Sequence, residues 1–545
     1  MGDPERVQHP RLTAVAVALV LLAGLALRAD HLADKLVWHD EIATRIFAAG
    51  YTTDDWKEAI YTGRVVPVAE VRAYQSPNPD RTTWQVIDGL ARLDPQHPPL
   101  YYVLARLWVG LFGMGTGALR SLSVLASLLG LPAAWWLGRE LASRRAGWIA
   151  ALLWSVSPFF VLYAQEAREY ALWGTEILVM CAALLRAMRV TEAGVRGASV
   201  AGGATDATAA TTAGGATGAW ALYALSVIVS LYTSFSTVSV MLAHTLFVIA
   251  RERARPNRVS LSAAASLAVA VLAFVPWGLN LARSFEAFQA SMRWSKEIVI
   301  PTFDLLRIFT LNTSRTVVDL WPDLDSTTAW VVDGGACAVM NVMLFLAARR
   351  VPRASVWMLL TLVVAPLLML LLPDLLWGGI RSVSGRYLTV TWVGLLMASA
   401  VGLDSLTRSA RAWAVGLFVA AGLVSGVSNA RQEVVWTKGV SMGLPEIARL
   451  INTSTAPLVV ANIEVHHPGN MLALANLLRD DATLQLLPVA VENTYALPES
   501  HGDIYLISPN PQFRARIEAR APVQTRLLYH DLFLELWKVE AREAR

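Results

Sequence analysis

The sequence predicts a mainly α-helical protein that crosses a membrane many times and carries a small α/β domain at its C-terminal end. Three observations predict this. Of 545 residues, 55% are hydrophobic and 16% are charged, against about 25% charged in ordinary soluble domains, and the mean hydropathy is +0.45. Apolar runs of about 17 to 25 residues, long enough to cross the hydrocarbon core as helices, recur from residue 12 to residue 427. Past residue 431 the apolar share falls, and strand-like and helix-like stretches alternate. The composition excludes disorder, which needs low hydrophobicity and high charge, and the length argues against one soluble domain.

In order, the apolar runs are 12–29, 117–137, 146–164, 171–188, 220–236, 238–250, 261–282, 329–348, 355–377, 387–402 and 413–427, about eleven spans. No small-residue cleavage site follows the first, so it reads as a span and not as a cleavable signal. Arginines fall in alternate loops: Arg139, Arg144 and Arg145; Arg186 and Arg189; Arg251, Arg253, Arg255 and Arg258; Arg349, Arg350 and Arg353; Arg408 and Arg411. The positive-inside rule makes that side cytoplasmic. Arg6 and Arg11 place the N-terminus there, and eleven spans place the C-terminus outside. The stretch His97-Pro98-Pro99-Leu100-Tyr101-Tyr102 leads into an apolar run ending at Phe112. Counting it as a span would push Arg144 and Arg145 outside, so it is read as an interfacial helix.

Three regions lie outside the bilayer in this reading. The first outer loop, 30–116, is aromatic, with Trp38, Tyr51, Trp56, Tyr61, Tyr74, Trp84, Tyr101, Tyr102 and Trp108. The Ala/Thr/Gly-rich stretch 191–219 reads as a flexible cytoplasmic linker. The tail, 431–545, reads as an extracytoplasmic α/β domain with strands near 457–461, 503–507 and 532–539 and helices near 469–479 and 511–519; residues 1–430 form the membrane domain. Cys181 and Cys337 both sit in apolar runs, so neither a disulfide framework nor a zinc site is expected. A net charge of +4 is a mild excess for this length. The bilayer is the expected partner, and nucleic acid is not.

Three constellations carry chemistry. The first is Trp38-His39-Asp40-Glu41. Adjacent carboxylates beside a membrane can accept a proton or hold a divalent cation; the blander alternative is a solvated acidic loop. The second runs from Ser157-Pro158-Phe159 to Tyr163-Ala164-Gln165-Glu166-Ala167-Arg168-Glu169-Tyr170. Ionisable groups at helix ends in a membrane are costly unless paired or facing a cavity, and the alternative is an ion pair of Arg168 with Glu166 or Glu169. The third is Arg381-Ser382-Val383-Ser384-Gly385-Arg386-Tyr387, where arginine and helix-start N–H groups make an anion pocket; the alternative is a snorkelling arginine. All three fall on the outer side. Glu176, His244, Asp333 and Asp374 lie within spans and keep a second reading open, a multi-pass transporter or lipid-carrier flippase. His466 and His467 beside Glu464 read as a solvated turn sooner than as a metal site.

In order and spacing these motifs resemble the GT-C superfamily of membrane glycosyltransferases, in the branch of protein O-mannosyltransferases, lipid A aminoarabinose transferases and RgtA/B/C/D-like proteins. The residues are Trp38-His39-Asp40-Glu41, His97-Pro98-Pro99-Leu100-Tyr101-Tyr102, Gly138-Arg139-Glu140-Leu141, Arg144-Arg145-Ala146-Gly147, Ser157-Pro158-Phe159, the stretch Tyr163–Leu172 and Gly385-Arg386-Tyr387-Leu388. The resemblance is strongest over 12–185, and the tail carries no motif of the family.

The resemblance implies a polyprenyl-phosphate-linked sugar donor on the outer leaflet. It implies inverting transfer of one sugar, hexosyl or pentosyl, to a hydroxyl of a lipid, glycan or protein acceptor. Carried over residue by residue, Asp40 is the catalytic carboxylate with Glu41 beside it. Arg386, Tyr387 and Arg168 bind the donor phosphate. Glu166, His97 and Tyr163 line the acceptor or sugar cavity. Some members hold a divalent metal; if this chain does, Mg or Mn sits on Asp40, Glu41 and Glu166, and no other cofactor is expected. Asp40 and Arg386 are then expected to flank one donor. Two sequons, Asn312-Thr313-Ser314 and Asn452-Thr453-Ser454, fall on the outer side in this topology.

Overall fold

The computed structural model describes residues 10–200, 206–320, 327–462, 467–498 and 502–542. The chain forms two compact units. One comprises Met1–Leu32, Asp94–Tyr101 and Arg120–Arg431, and the other Ala33–Leu93, Tyr102–Leu119 and Gln432–Arg545. Toward the C-terminal end the chain passes from the first unit to the second between Arg431 and Gln432. The first outer loop, however, belongs mostly with the tail and not with the membrane domain.

The first unit is helical, and the chain is a multi-pass membrane protein. Among the described residues eight helices are long and apolar enough to cross a membrane, nine if the bent pair Arg144–Val156 and Pro158–Ala164 counts as one span. The two remaining runs of the eleven are also helices, Pro10–Ala29 and Thr237–Glu252, the latter 16 residues long. Helix Leu100–Phe112 has 13 residues and, at about 1.5 Å per residue, falls short of a 30 Å crossing. Thr389–Asp404 is the central helix, and every residue from Thr389 to Leu403 is buried. It packs against Arg144–Val156, Tyr170–Val200, Thr327–Arg350 and Arg353–Trp377. Gly402 allows the close approach of Thr327–Arg350, since a methyl there would strike the Met343 carbonyl.

The stretch 191–219 is no flexible linker where it is described. Tyr170–Val200 runs into it and Asp206–Thr233 starts within it; residues 201–205 lie outside the described residues. Alanine is the strongest helix former, so a composition that lacks a core can still be helix. The first sequon is also corrected. Asn312 is 2% exposed and its Nδ2 donates to Val383 O at 2.8 Å, so it is a buried strut and not a surface acceptor.

The bend of 58° at Ser157-Pro158 has a local cause. Pro158 has no N–H and opens a new helix at its first turn. The Ser157 hydroxyl donates to Thr316 O at 2.6 Å, and Phe159 N donates to Arg315 O at 3.0 Å. Carbonyls freed near the end of Arg144–Val156 are met by Arg28, which donates to Trp154 O at 2.9 Å and Ser155 O at 2.5 Å. Gln165, just past the bend, donates in turn to Leu27 O at 2.8 Å and Asp30 O at 2.9 Å, closing the end of Pro10–Ala29.

The second unit is built on a six-stranded sheet in the order β1-β3-β2-β4-β6-β5. The strands are β1 Val65–Pro67, β2 Leu458–Asn462, β3 Thr483–Leu487, β4 Ile504–Ile507, β5 Val523–His530 and β6 Glu535–Ala541. β2 runs parallel to β3 and β4, while β1 and the β5–β6 hairpin are antiparallel. Alternate side chains face opposite ways. Val459, Ala461, Leu484 and Leu486 join a core with Leu36, Ile42, Trp56, Leu444 and Met471, whereas Leu458, Val460 and Leu506 join Phe513 and Ile517 on the other face. The expected strands and helices of the tail are present. β1, β3, β5 and helix Leu444–Ile451 are further elements of the unit, as are helices His39–Ala49, Thr53–Ile60, Val68–Ala73 and Thr83–Leu93 of the first loop.

Candidate active site

In the membrane unit, the loop Gln165–Glu169 is placed by the helix break before it and by Tyr170–Val200 after it. Arg168 is 2% exposed. Its Nε lies 3.3 Å from Glu169 Oε2, and its backbone carbonyl accepts from Ser123 Oγ at 3.2 Å. The Tyr101 hydroxyl meets Ser123 Oγ at 2.7 Å, so the turn is held from behind. His97 Nδ1 stands 3.8 Å from Glu169 Oε1. Glu166 is buried in the same turn, and its carbonyl accepts from Arg168 N at 2.8 Å.

Arg386 is presented by the turn Gly385–Leu388, whose backbone is pinned at several points. Trp392 Nε1 donates to Gly385 O at 2.8 Å, and Thr389 Oγ1 donates to Arg386 O at 2.7 Å. A Cβ on Gly385 would press Asn312 and Phe159 at 3.3–3.4 Å. The preceding loop is fixed by Asp374, which accepts from Arg381 Nη1 at 2.6 Å and from Ser382 N and Oγ at 2.7 and 2.8 Å. Arg381 is therefore committed to Asp374, and Arg386 is the arginine of this motif that reaches the cluster.

The guanidinium carbons of Arg168 and Arg386 lie 5.8 and 5.6 Å from the ring centre of Tyr170. They are thus within about 11 Å of one another. Arg386 also lies 5.3 Å from the Tyr387 ring, and the Tyr163 ring stands 5.5 Å from Tyr170. Arg168, Arg386, Tyr387, Tyr163 and, through Glu169, His97 form one cluster. Glu169 and Tyr170 stand in the sequence motif, but the sequence gives neither a role at the site beyond an ion pair of Glu169 with Arg168. Two guanidinium groups around one buried ring can hold a phosphate bidentately.

Asp40 and Glu41 belong to the other unit, in the first turn of helix His39–Ala49, where carboxylates suit the helix dipole. They differ in surroundings. Glu41 has a 2% exposed side chain and lies 3.2 Å from Lys438 Nζ, itself 1% exposed. Asp40 keeps 19% exposure, with Oδ1 3.3 Å from His39 Nε2. Asp40 is the more exposed of the two carboxylates. His467 packs on His39 with ring centres 4.2 Å apart; His466 and Glu464 lie outside the described residues. Among the described residues no group of three or more His, Cys, Asp or Glu side chains is gathered as a metal would need. Glu41, one of the three expected Mg or Mn ligands, already has the Lys438 ammonium beside it.

The groups that favoured transport have local partners. Glu176 accepts from Thr233 Oγ1 at 2.7 Å, and Asp333 from Ser314 Oγ at 2.6 Å. His244 meets the Tyr223 hydroxyl at 3.0 Å and Cys181 Sγ at 3.3 Å.

The family model for dolichyl-phosphate-mannose-protein mannosyltransferase matches residues 96–205, which include the Gln165–Tyr170 turn. No curated protein matches the chain. Among solved structures, it is similar to ArnT from Cupriavidus metallidurans bound to undecaprenyl phosphate, with a TM-score of 0.55 and 11% identity over 97% of this chain and 98% of that one. The apo form of that protein gives a TM-score of 0.56 at 12% identity, with the same shares covered. The oligosaccharyltransferase of Archaeoglobus fulgidus, tethered with an acceptor peptide containing the NVT sequon, gives a TM-score of 0.50 at 12% identity over 92% of this chain and 69% of that one. At such identities the likeness to these structures is one of fold.

Proposed function

We propose that the chain is an inverting glycosyltransferase. It moves one sugar from a polyprenyl-phosphate carrier to a hydroxyl of a lipid, glycan or protein acceptor at the outer membrane face. The observation that carries this reading is the meeting of Arg168 and Arg386 at Tyr170. Similar support comes from the shared fold with ArnT, a protein whose structure holds undecaprenyl phosphate. The C-terminal half of the second unit lies on the outer side in this reading, and the N-terminus on the cytoplasmic side.

The chemistry follows from the leaving group. A sugar bonded through its anomeric carbon to a lipid phosphate leaves an anion that needs no strong acid. It needs fixed positive charge where negative charge grows, which Arg386 and Arg168 supply without reorganising. The acceptor hydroxyl is a poor nucleophile near neutral pH and needs a base. Asp40 takes its proton. The acceptor oxygen forms the new bond to the anomeric carbon from the side opposite the phosphate. The old carbon–oxygen bond breaks, and its electron pair passes to the phosphate. Glu41, paired with Lys438, holds the helix start and does not react.

The test is transfer of labelled sugar from a polyprenyl-phosphate donor in membranes containing the protein. Asp40→Asn is expected to lower turnover about 10²-fold or more, as loss of a general base does, with donor binding retained. Arg386→Ala is expected to weaken binding of the polyprenyl phosphate itself. Full turnover by Asp40→Asn would remove Asp40 as the base, and unchanged phosphate binding by Arg386→Ala would remove the phosphate site.

A further inference from the structure

The chemistry above makes no use of the Asn312-Thr313-Ser314 motif, whose asparagine is buried at the end of helix Thr302–Ser314. Both ends of the Asn312 amide are committed. Nδ2 donates to Val383 O at 2.8 Å, and Oδ1 accepts from Arg315 Nη1 at 3.0 Å. Only this orientation serves both neighbours, since a carbonyl accepts and a guanidinium donates. Arg315 is held in its turn from the last span, Arg408–Ala430. Its Nε lies 3.6 Å from Asp319 Oδ1, while Asp319 Oδ2 accepts from Asn429 Nδ2 at 2.9 Å and Asp319 N donates to Ser425 Oγ at 2.9 Å. Ser314 Oγ ties the helix end once more, to Asp333 Oδ1 at 2.6 Å.

Val383 stands three residues before Arg386. The other contacts that pin this stretch come from its own neighbours in the chain: Asp374 ahead of it, Thr389 and Trp392 behind it. Asn312 reaches it from a separate helix. The fit is close, because a Cβ on Gly385 would stand 3.3 Å from Asn312 Cγ and 3.4 Å from its Oδ1. The same short segment holds the other arginine-bearing stretch. Ser157 Oγ donates to Thr316 O and Phe159 N to Arg315 O, at the start of helix Pro158–Ala164, which runs into the Gln165–Glu169 turn and Arg168. Residues 312–316 thus grip the Arg168 stretch through two backbone carbonyls and the Arg386 stretch through one side-chain amide. The carbonyls survive any substitution. The amide is the link that a change of side chain removes.

We propose that Asn312 is a positioning residue for the donor phosphate: together with the main chain of residues 315 and 316 it joins the segments that carry Arg168 and Arg386 and sets the spacing of the two guanidinium groups. Recognition of phosphate by guanidinium is geometric, and a spacing fixed beforehand avoids ordering two long side chains on binding. The proposal rests on the reading of Arg386 as a phosphate ligand. The amide form matters to it. An aspartate at 312 would keep the shape and the Arg315 contact, but it would bring no hydrogen to Val383 O and would set a negative charge against Gly385, the neighbour of Arg386.

The experiment measures binding of labelled undecaprenyl phosphate to the full-length protein in detergent, with thermal unfolding recorded for each variant. Asn312→Ala is expected to raise Kd about 10-fold, the effect of losing one buried hydrogen bond, and Asn312→Asp to raise it at least as much. Arg386→Ala is the reference. In its background Asn312→Ala is expected to add less than about twofold, because a residue that acts through another has little left to change once that one is gone. In the sugar-transfer assay Asn312→Ala is expected to raise donor KM and to leave acceptor KM within about twofold, whereas a variant that only lowers the folded fraction reduces turnover and moves neither.

A wild-type Kd in Asn312→Ala, alongside a weakened Arg386→Ala, would overturn the proposal and leave the phosphate site in place. A wild-type Kd in Arg386→Ala would overturn the phosphate site itself, and the proposal with it. An equal loss from Asn312→Ala in both backgrounds would overturn the positioning role, since Asn312 would then act on the lipid by a route that does not pass through Arg386. If Asn312→Ala fails to fold, Asn312→Asp, which keeps the side-chain volume, decides: an unchanged Kd there would overturn the proposal.

Discussion

At Tyr170 two arginines meet one aromatic ring. A cation held near such a ring gains about 0.5–1 kcal/mol where exposed and about 2 where desolvated, and Arg168 is nearly wholly buried. The ring therefore does more than fill space: it sets the separation of two guanidinium groups that would otherwise repel. Tyr170→Phe keeps the ring and is expected to keep donor KM close to that of the wild type. Tyr170→Leu removes both contacts and is expected to raise donor KM about 5- to 30-fold, the equivalent of about 1–2 kcal/mol. Steady-state kinetics over a range of donor concentrations separates the two variants, and equal KM values would assign the ring no such role. Arg386→Lys keeps the charge but loses the planar fork, so it is expected to bind the phosphate about 10-fold more weakly or worse. The arginines were legible in the sequence because each sits in a motif of ionisable groups with no helical reason to be there. Tyr170 was not, since an aromatic residue at the start of a span is what an interfacial belt also requires.

The break at Ser157-Pro158 shows what hydropathy does and does not report about an element. The apolar run 146–164 was legible as a span because its composition meets the length of the bilayer. Its bend was hidden, because a proline at the first turn of a second helix is as apolar as one in a straight helix. What stabilises the bend comes from distant residues, Arg28 and Arg315, that no local window includes. A carbonyl left without a donor away from water costs about 1–3 kcal/mol. Arg28→Met strands those of Trp154 and Ser155 and breaks the Arg28 Nε contact to Ser127 Oγ at 2.9 Å. It is expected to lower stability by about 2–4 kcal/mol, read as a lower unfolding midpoint in detergent. An unchanged midpoint would mean that other groups cap the broken helix. The strands missed in the tail have related reasons. Thr483–Leu487 is only five residues long and is set between two neighbouring strands that no local window includes, while Val523–His530 is an edge strand whose side chains are exposed or half-buried.

On the scale of the whole molecule, the largest difference between sequence and structure is that the first outer loop and the tail are one folded unit. Composition separates segments that are contiguous in the chain, and it found the tail because the apolar share falls there. It has no means of joining residue 66 to residue 484, which only strand pairing and a shared core reveal. That joining has a consequence for any attempt to treat the tail as a free domain. Without the first loop, β3 loses β1 as its neighbour and becomes an edge, the condition that favours association with other chains. One face of the sheet also loses Leu36, Ile42, Ile46, Trp56, Ile60, Val66, Val68 and Val71, all buried in its core. Burial of a large apolar side chain is worth about 1.5–3 kcal/mol, and a domain's whole stability is about 5–15 kcal/mol. Losing even half of these residues would therefore remove more stability than such a domain has. The fragment 432–545 expressed alone is expected to aggregate or to unfold without a cooperative transition, whereas the same fragment joined by a flexible linker to 33–93 is expected to regain one, measured by circular dichroism on heating. A sharp transition in the isolated fragment would show that the tail folds by itself and that the first loop only decorates it. A gain on joining would show that the Trp38–Glu41 motif and the tail fold together, so that Asp40 takes its place only once the tail has been made.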